Sequence, residues 1–273
     1  MALVGRHVSV AGGLEKSFER AKEIGCNAMQ IFVTNPRSWA IGKIDSGVAE
    51  AFRKNAHHTG ITAIAHMPYL PNIGSSDPSA RSKSKESLKG NAEACGILGI
   101  ENLVTHMGSH MGKGKERGIS NVIDAVESAL KPGLKTRILL ENEAGHKNSI
   151  GDEIRDLYEV RDSVKGKLLG FCLDTCHLFA AGYDITSHKA LDRIFSEIDM
   201  NDVFAIHLND AKMELGSRRD RHANIGKGHI GIEGFRSFLN YEGISEKIIV
   251  LETPASTEIG EAEEIALVRG LFS

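Results

Sequence analysis

The sequence has no apolar run near the 18 or so residues that a membrane-spanning helix needs, so no membrane contact is expected. Its opening, MALVGRHVSV, lacks the charged start and long apolar stretch of a signal peptide, which points to the cytoplasm. Only four cysteines occur, Cys26, Cys95, Cys172 and Cys176, with no Cys-x-x-Cys pair. That excludes a disulfide framework and a zinc ribbon and leaves buried free thiols. An excess of basic residues is also missing. The net charge of −3 argues against a general polyanion binder. Any nucleic-acid contact must then be local, and two loops offer it: Lys113, Lys115 and Arg117 in one, Lys212, Arg218, Arg219 and Arg221 in the other.

What is present is a globular balance, with 41% hydrophobic and 25% charged residues in 273. Short β-rich runs alternate with longer amphipathic stretches from end to end, without an obvious linker. The strand candidates are HVSV, AMQIFV, AIAHM, NLVTHM, RILLEN, LLGFCLDT, VFAIHLND and KIIVLET. Helices are expected over Gly13 to Ile24, Gly47 to His58, Ser79 to Leu98, Lys115 to Lys131, Ser149 to Val164, Ser187 to Ile198, Ile232 to Leu239 and Glu258 to Leu271. Ser149 and Ser187 read as N-caps, and Gly25, Gly60, Gly99 and Gly133 as C-terminal glycines. The length matches the roughly 250 residues of a (β/α)8 TIM barrel. Residues 1–273 are therefore read as one such domain. A doubly wound sheet fits the same alternation but gives no reason for chemistry at many strand ends.

Polar residues interrupt the apolar strands in a regular way. His66 ends the third candidate strand, His106 the fourth, Glu141 the fifth, Asp174 the sixth, His207 the seventh and Glu252 the eighth. In a barrel all six converge on the C-terminal face, where such enzymes build their sites. One such residue reads as a hydrogen-bonded strand end. Six in register are costly to bury unless cations compensate, which points to a metal cluster at the C-terminal ends of the strands. His177, three residues after Asp174, and the pair Asp220 and His222 extend the set to five His, two Asp and two Glu. Nine side chains exceed the needs of one ion and suit about three, with a bridging carboxylate. Nitrogen and oxygen donors without thiolate favour zinc, with manganese as the alternative at one or more sites.

The chain resembles the endonuclease IV family of metal-dependent apurinic/apyrimidinic endonucleases over nearly its whole length. The likeness is carried by GRHVSVAGGL (5–14), NPRSW (35–39), HMPYLPN (66–72), THMGSH (105–110), LENEAG (140–145), CLDTCHLFAAGYD (172–184), HLNDAK (207–212), DRHANIGKGHIG (220–231) and LETP (251–254). It implies one ion on His66, His106 and Glu141, and a second, bridged through Glu141, on Asp174, His207 and Glu252. The third would lie on His177, Asp220 and His222. Glu141, Asp174 and Glu252 are the residues it assigns to catalysis. In proteins of this kind a hydroxide between two ions attacks the phosphorus 5′ to an abasic site, and the third ion stabilises the leaving 3′-oxygen. The implied partner is duplex DNA with abasic sites or blocked 3′ ends, bound by a monomer. Arg37 and the pair Tyr69 and Leu70 would enter the base stack, where an abasic gap lowers the cost of kinking.

Four positions depart from the family pattern. Met107 replaces a usual proline, Pro71 a usual aliphatic, Ala211 a common serine and Glu143 a common threonine. Glu143 shares the strand face of Glu141 if the strand continues, and would add negative potential beside the bridge. Otherwise it is a solvent-facing acid. His57, His58, His146 and His188 sit in polar contexts and are expected at the surface, whereas His7, His110 and His229 fall inside matched motifs as supporting or DNA-facing groups. Cys172 and Cys176 are expected to pack the strand and turn around Asp174. Two other functions fit parts of the pattern: a sugar isomerase or epimerase on the same barrel, and a protein that binds damaged DNA without cutting it. The first has no use for a third cluster or the NPRSW and HMPYL loops. The second sits poorly with a donor set that is open and oxygen-rich.

Overall fold

The computed structural model describes residues 2–164, 168–255 and 258–273. The alternating pattern folds into strands β1 (Leu3–His7), β2 (Ala28–Ile31), β3 (Thr62–His66), β4 (Asn102–His106), β5 (Arg137–Glu141), β6 (Leu169–Asp174), β7 (Val203–His207), β8 (Asp210–Ala211), β9 (His222–Ala223) and β10 (Ile248–Leu251). Eight of them close into a barrel in the order β1-β10-β7-β6-β5-β4-β3-β2, and β8 pairs with β9 in a separate two-stranded ribbon. Every described neighbouring pair in the barrel is parallel. The helices are α1 (Ser17–Glu23), α2 (Ser46–Thr59), α3 (Pro78–Leu98), α4 (Lys115–Ala129), α5 (Ile154–Ser163), α6 (Thr175–Ala181), α7 (His188–Phe195), α8 (Gly231–Leu239) and α9 (Glu261–Arg269). This is a TIM barrel, as the chain length and the polar strand ends implied. No described helix is long and apolar enough to cross a membrane.

Successive strand residues face opposite sides of a sheet, and this splits the apolar residues into two cores. Ile64, Val104, Leu139, Cys172, Ala205 and Val250, one from each of six strands, form a small buried cluster inside the barrel. Their neighbours Ala65, Leu103, Leu140, Leu173, Ile206 and Leu251 point the other way, into the large core under the helices. Strands β1 and β2 approach each other closely at Gly5, which pairs with Ala28. A Cβ on Gly5 would stand 1.7 Å from the Ala28 carbonyl oxygen, so only glycine fits there.

The elements depart from the sequence pattern in several places. The first strand is Leu3–His7 and not HVSV; Gly5 and Arg6 disguise it, since glycine weakens strand signals and Arg6 is buried, donating to the Thr253 carbonyl. Ser149 caps no helix. It is buried and bridges to Ser109, and α5 begins only at Ile154. Left-handed backbone at Gly145, Asn148 and Gly151 keeps residues 142–153 a loop over the barrel mouth. Helix α6 and the β8–β9 ribbon were not expected at all, and both carry site residues. Ser187 does cap its helix, accepting from the Ala190 N–H. Gly60 and Gly99 are left-handed C-caps, whereas Gly133 lies in a turn beyond the C-cap Leu130.

Candidate metal centre

Each member of the inner apolar cluster stands two residues before a polar group on the same strand. Ile64 precedes His66, Val104 precedes His106, Leu139 precedes Glu141, Cys172 precedes Asp174, Ala205 precedes His207 and Val250 precedes Glu252. A separation of two preserves the face, so all six side chains turn inward at the mouth of the barrel. Five of them are the last residue of their strand, and Glu252 is one beyond its own.

Glu141, fully buried, is the centre of the group. Its Oε2 lies 3.0 Å from His66 Nε2 and 3.4 Å from His106 Nε2, and its Oε1 lies 2.8 Å from His207 Nδ1. Donor atoms of Glu141, Asp174, His207 and Glu252 all lie within 4.8 Å of one another, as do those of His177, Asp220 and His222. The expected trio of His66, His106 and Glu141 meets on one oxygen but is less compact. At that spacing His66 groups with Glu141 and His207, and His106 with Glu141 and His177. The five imidazoles form an arc, His207, His66, His106, His177 and His222, with successive ring centroids 5.3 to 5.7 Å apart.

The second half of the site comes from elements outside the barrel. Asp174 ends β6 and caps α6, accepting the His177 N–H at 2.8 Å, which turns His177 back over the barrel. Its other oxygen accepts from Asn209 Nδ2 at 2.7 Å. The β8–β9 ribbon brings His222 Nε2 to 3.6 Å from Asp174 and both His222 and His177 to Asp220 Oδ1, at 3.2 and 3.4 Å. Asp220 remains largely exposed, whereas His177 is buried.

The orientation of the rings is fixed from behind. The Nδ1–H groups of His66, His177 and His222 face the carbonyls of Met67, Asn142 and Glu252 at 2.7, 3.0 and 3.2 Å, so each turns Nε2 toward the carboxylates. The buried Nε2 atoms of His177 and His222 have no hydrogen-bond partner although Asp220 is close. Unpartnered imidazole nitrogens aimed at carboxylates fit a cation between them, with mixed nitrogen and oxygen donors of the kind zinc and manganese accept.

Without cations the cluster balances its charge by protons. Burial alone would push His106 down, but Glu141 and Glu143 beside it more than offset this and raise it to about 9. His222 is likewise depressed by burial but lifted by Asp174 and Asp220, to about 9. Burial also opposes the charged forms of His177 and His207, yet both end well above the ordinary imidazole value, His177 through Asp174, Asp220 and Glu141 and His207 through Cys172, Glu252 and Glu141. Burial works against ionisation of Glu141, Asp220 and Glu252, yet the histidines around them hold all three below the usual carboxylate range. Cys176 also approaches Asp174 and His222, but burial pushes its thiol up and its S–H points at the Arg221 carbonyl. All four cysteines are free and buried.

Residues 18–269 match the family model described as the xylose isomerase-like TIM barrel. Proteins called probable endonuclease 4 from Methanoculleus marisnigri and Cenarchaeum symbiosum are each 41% identical, covering 99% and 98% of this chain and 99% of each relative. The crystal structure of endonuclease IV from Thermus thermophilus superposes with a TM-score of 0.86 at 33% identity, over 98% of both chains. The chain belongs to the endonuclease IV family. A D-tagatose 3-epimerase-like protein, 18% identical with a TM-score of 0.74 over 99% of this chain and 97% of its own, shares the fold.

Among the departures from the endonuclease IV pattern, Met107 is fully buried, Ala211 is buried in β8, and Glu143 is 7% exposed beside His106. Glu143 is therefore neither on the strand, which ends at Glu141, nor solvent-facing. The loops assigned to DNA lie at the same face. Arg37 is exposed after β2, and Tyr69 and Leu70 are exposed after β3, with the Tyr69 ring edge-on to Phe32 at 5.2 Å. Lys212, Arg218, Arg219 and Arg221 are exposed, but Lys115 is held by Asp152, Glu153 and Asp156 and is not a free phosphate contact. His57, His58, His146, His188 and His229 are exposed, although His146 Nδ1 lies 3.8 Å from Glu143. Three residues that touch the donor set were missed: Asn142 accepts the Asp174 N–H, Asn209 donates to its carboxylate, and Gln30 reaches Glu252 and His207. The signal for Gln30 was a lone amide inside the apolar strand AMQIFV.

Proposed function

We propose that this chain is a metal-dependent DNA-repair nuclease that hydrolyses the phosphodiester bond 5′ to an abasic site in duplex DNA, leaving a 3′-hydroxyl and a 5′-deoxyribose phosphate. The observation that carries the reading is the junction of two donor groups, one around Glu141 and one around Asp220, at a barrel mouth flanked by exposed Tyr69 and Leu70. Its relatives called endonuclease 4 support a DNA substrate.

His66, His106 and Glu141 would hold one ion, Glu141, Asp174, His207 and Glu252 a second, and His177, Asp220 and His222 a third. Zinc is the favoured occupant, with manganese at one or more positions. When bound, such ions neutralise charge on the oxygens of an in-line displacement at phosphorus. Glu141 joins the two halves of the buried group, and Asp174 is held on both oxygens so that it cannot swing away. Asp220, exposed on its loop beside His177, would hold its ion at the solvent side of the group. Tyr69 and Leu70 would wedge the duplex and Arg37 would fill the gap, turning the abasic sugar toward the mouth. The same site would accept blocked 3′ ends for trimming. The enzyme is read as a monomer acting in the cytoplasm.

A sugar epimerase shares the barrel, but the Asp220–His222 pair and exposed Tyr69 and Leu70 have no task on a free sugar. The test is incision of a duplex carrying one abasic analogue by metal-loaded wild type and Glu141→Gln. Cleavage by the wild type and loss of about a hundredfold or more in the variant are expected. An inert, fully loaded wild type overturns the function, and a fully active variant overturns the bridge.

A further inference from the structure

We infer that Gln30 is a positioning residue for the metal centre: one amide fixes which nitrogen His207 offers to a cation and orients Glu252 in the same stroke. Gln30 lies on β2 with no solvent exposure, so its amide must be satisfied by the protein. Its Oε1 is 2.8 Å from His207 Nε2, and its Nε2 is 2.6 Å from Glu252 Oε1 and 3.2 Å from His7 Nδ1.

The chemistry of the partners fixes the direction of these bonds. An ionised carboxylate only accepts, so the amide N–H must point at Glu252, and the amide oxygen is then left facing His207. An amide oxygen also only accepts, so His207 must carry its hydrogen on Nε2. Its other nitrogen, Nδ1, is the one turned toward the carboxylates, 2.8 Å from Glu141 Oε1 and 3.3 Å from Glu252 Oε2.

This is the reverse of His66, His177 and His222, whose Nδ1–H groups face main-chain carbonyls and whose Nε2 atoms face the carboxylates. For those three, the backbone sets the tautomer and a side-chain substitution cannot change it. For His207 the setting is delegated to a side chain on β2, separated from β7 by β1 and β10 in the barrel order. Because Gln30 holds a ligand from β7 and another beside β10, it couples two donors of one group across the barrel interior. Second contacts of this kind tune metal affinity by roughly tenfold to a hundredfold.

The inference rests on the metal reading proposed above, and the test separates the two. Zinc affinity of stripped wild type, Gln30→Leu and Gln30→Glu is measured by calorimetry. NMR of selectively labelled histidine nitrogens in the loaded proteins identifies the protonated nitrogen of His207. Gln30→Leu is expected to weaken zinc binding by about tenfold to a hundredfold and to shift the Nε2–H signal of His207, which loses its acceptor. Gln30→Glu, similar in size and still offering an oxygen, is expected to keep the signature while binding more weakly than wild type. It also guards against a folding defect in the leucine variant. A wild type that binds no ion removes the metal reading itself. A wild type that binds zinc, with Gln30→Leu matching it in affinity and in His207 signature, overturns the role of Gln30 alone.

Discussion

Glu143 Oε1 lies 3.1 Å from Nδ1 of His106. The pair is close but not aligned as a hydrogen bond, since His106 Nδ1 is buried without a partner. Glu143→Thr shortens the side chain beyond that reach. It is expected to lower metal affinity at the His106 end by about tenfold and to raise the metal concentration needed for incision. Metal content after dialysis against graded chelator measures this, and unchanged content contradicts it.

Metal and proton compete for the same imidazoles, which gives the stripped chain a characteristic pH response. His106 and His222 are raised to about 9 in the folded metal-free chain, against about 6.5 when unfolded. The folded state therefore binds these protons more tightly. The stabilisation is complete below about pH 6.5 and is lost as pH rises through 9. Thermal unfolding of chelator-stripped protein is expected to show a melting temperature that falls between those values. In zinc-loaded protein the ion replaces the protons, and that fall is expected to vanish. Parallel curves for the two forms contradict this competition.

Asp210, fully buried, holds the loop behind the ribbon. Its carboxylate accepts from the backbone N–H groups of Gly226, Gly228, Ile230 and Gly231 at 2.9 to 3.3 Å. Asp210→Ala strands those donors and is expected to cost about 3 kcal/mol or more in denaturant unfolding. Asp210→Asn, which keeps one oxygen, is expected to cost less. The ribbon carries His222, so the alanine variant is also expected to bind fewer ions.

On the proposed function Tyr69 and Leu70 would contact DNA without touching the ions, since both are exposed and neither belongs to the donor set. Replacing both by alanine is expected to leave metal content unchanged and to reduce incision of duplex DNA about tenfold, near the lower end of what a stacked side chain contributes. Loss of metal content would place them in the site's framework instead.

Much of the site was legible in the sequence because a barrel converts strand position into direction. His66, His106, Glu141, Asp174, His207 and Glu252 each end an apolar run, and spacing alone places them at one mouth. Tertiary relations were not legible. That Gln30 bridges β2 to His207, or that Glu143, within the 142–153 loop, is buried against His106, depends on strand order and on left-handed turns at Gly145, Asn148 and Gly151. Strand β1 was misplaced because Gly5 and Arg6 carry none of the usual strand signal, although close approach to Ala28 requires the first and burial beside Glu264 accommodates the second. The ribbon that delivers His222 is two residues per strand, too short for any periodicity.

On the proposed function the site cuts DNA where a base is missing. End-labelled duplexes, identical except for one abasic analogue, compared on metal-loaded wild-type protein, test it most directly. A single cut immediately 5′ to the analogue, ending in a 3′-hydroxyl, is expected, with the intact duplex left whole. An uncut abasic duplex, or equal cutting of both duplexes, contradicts it.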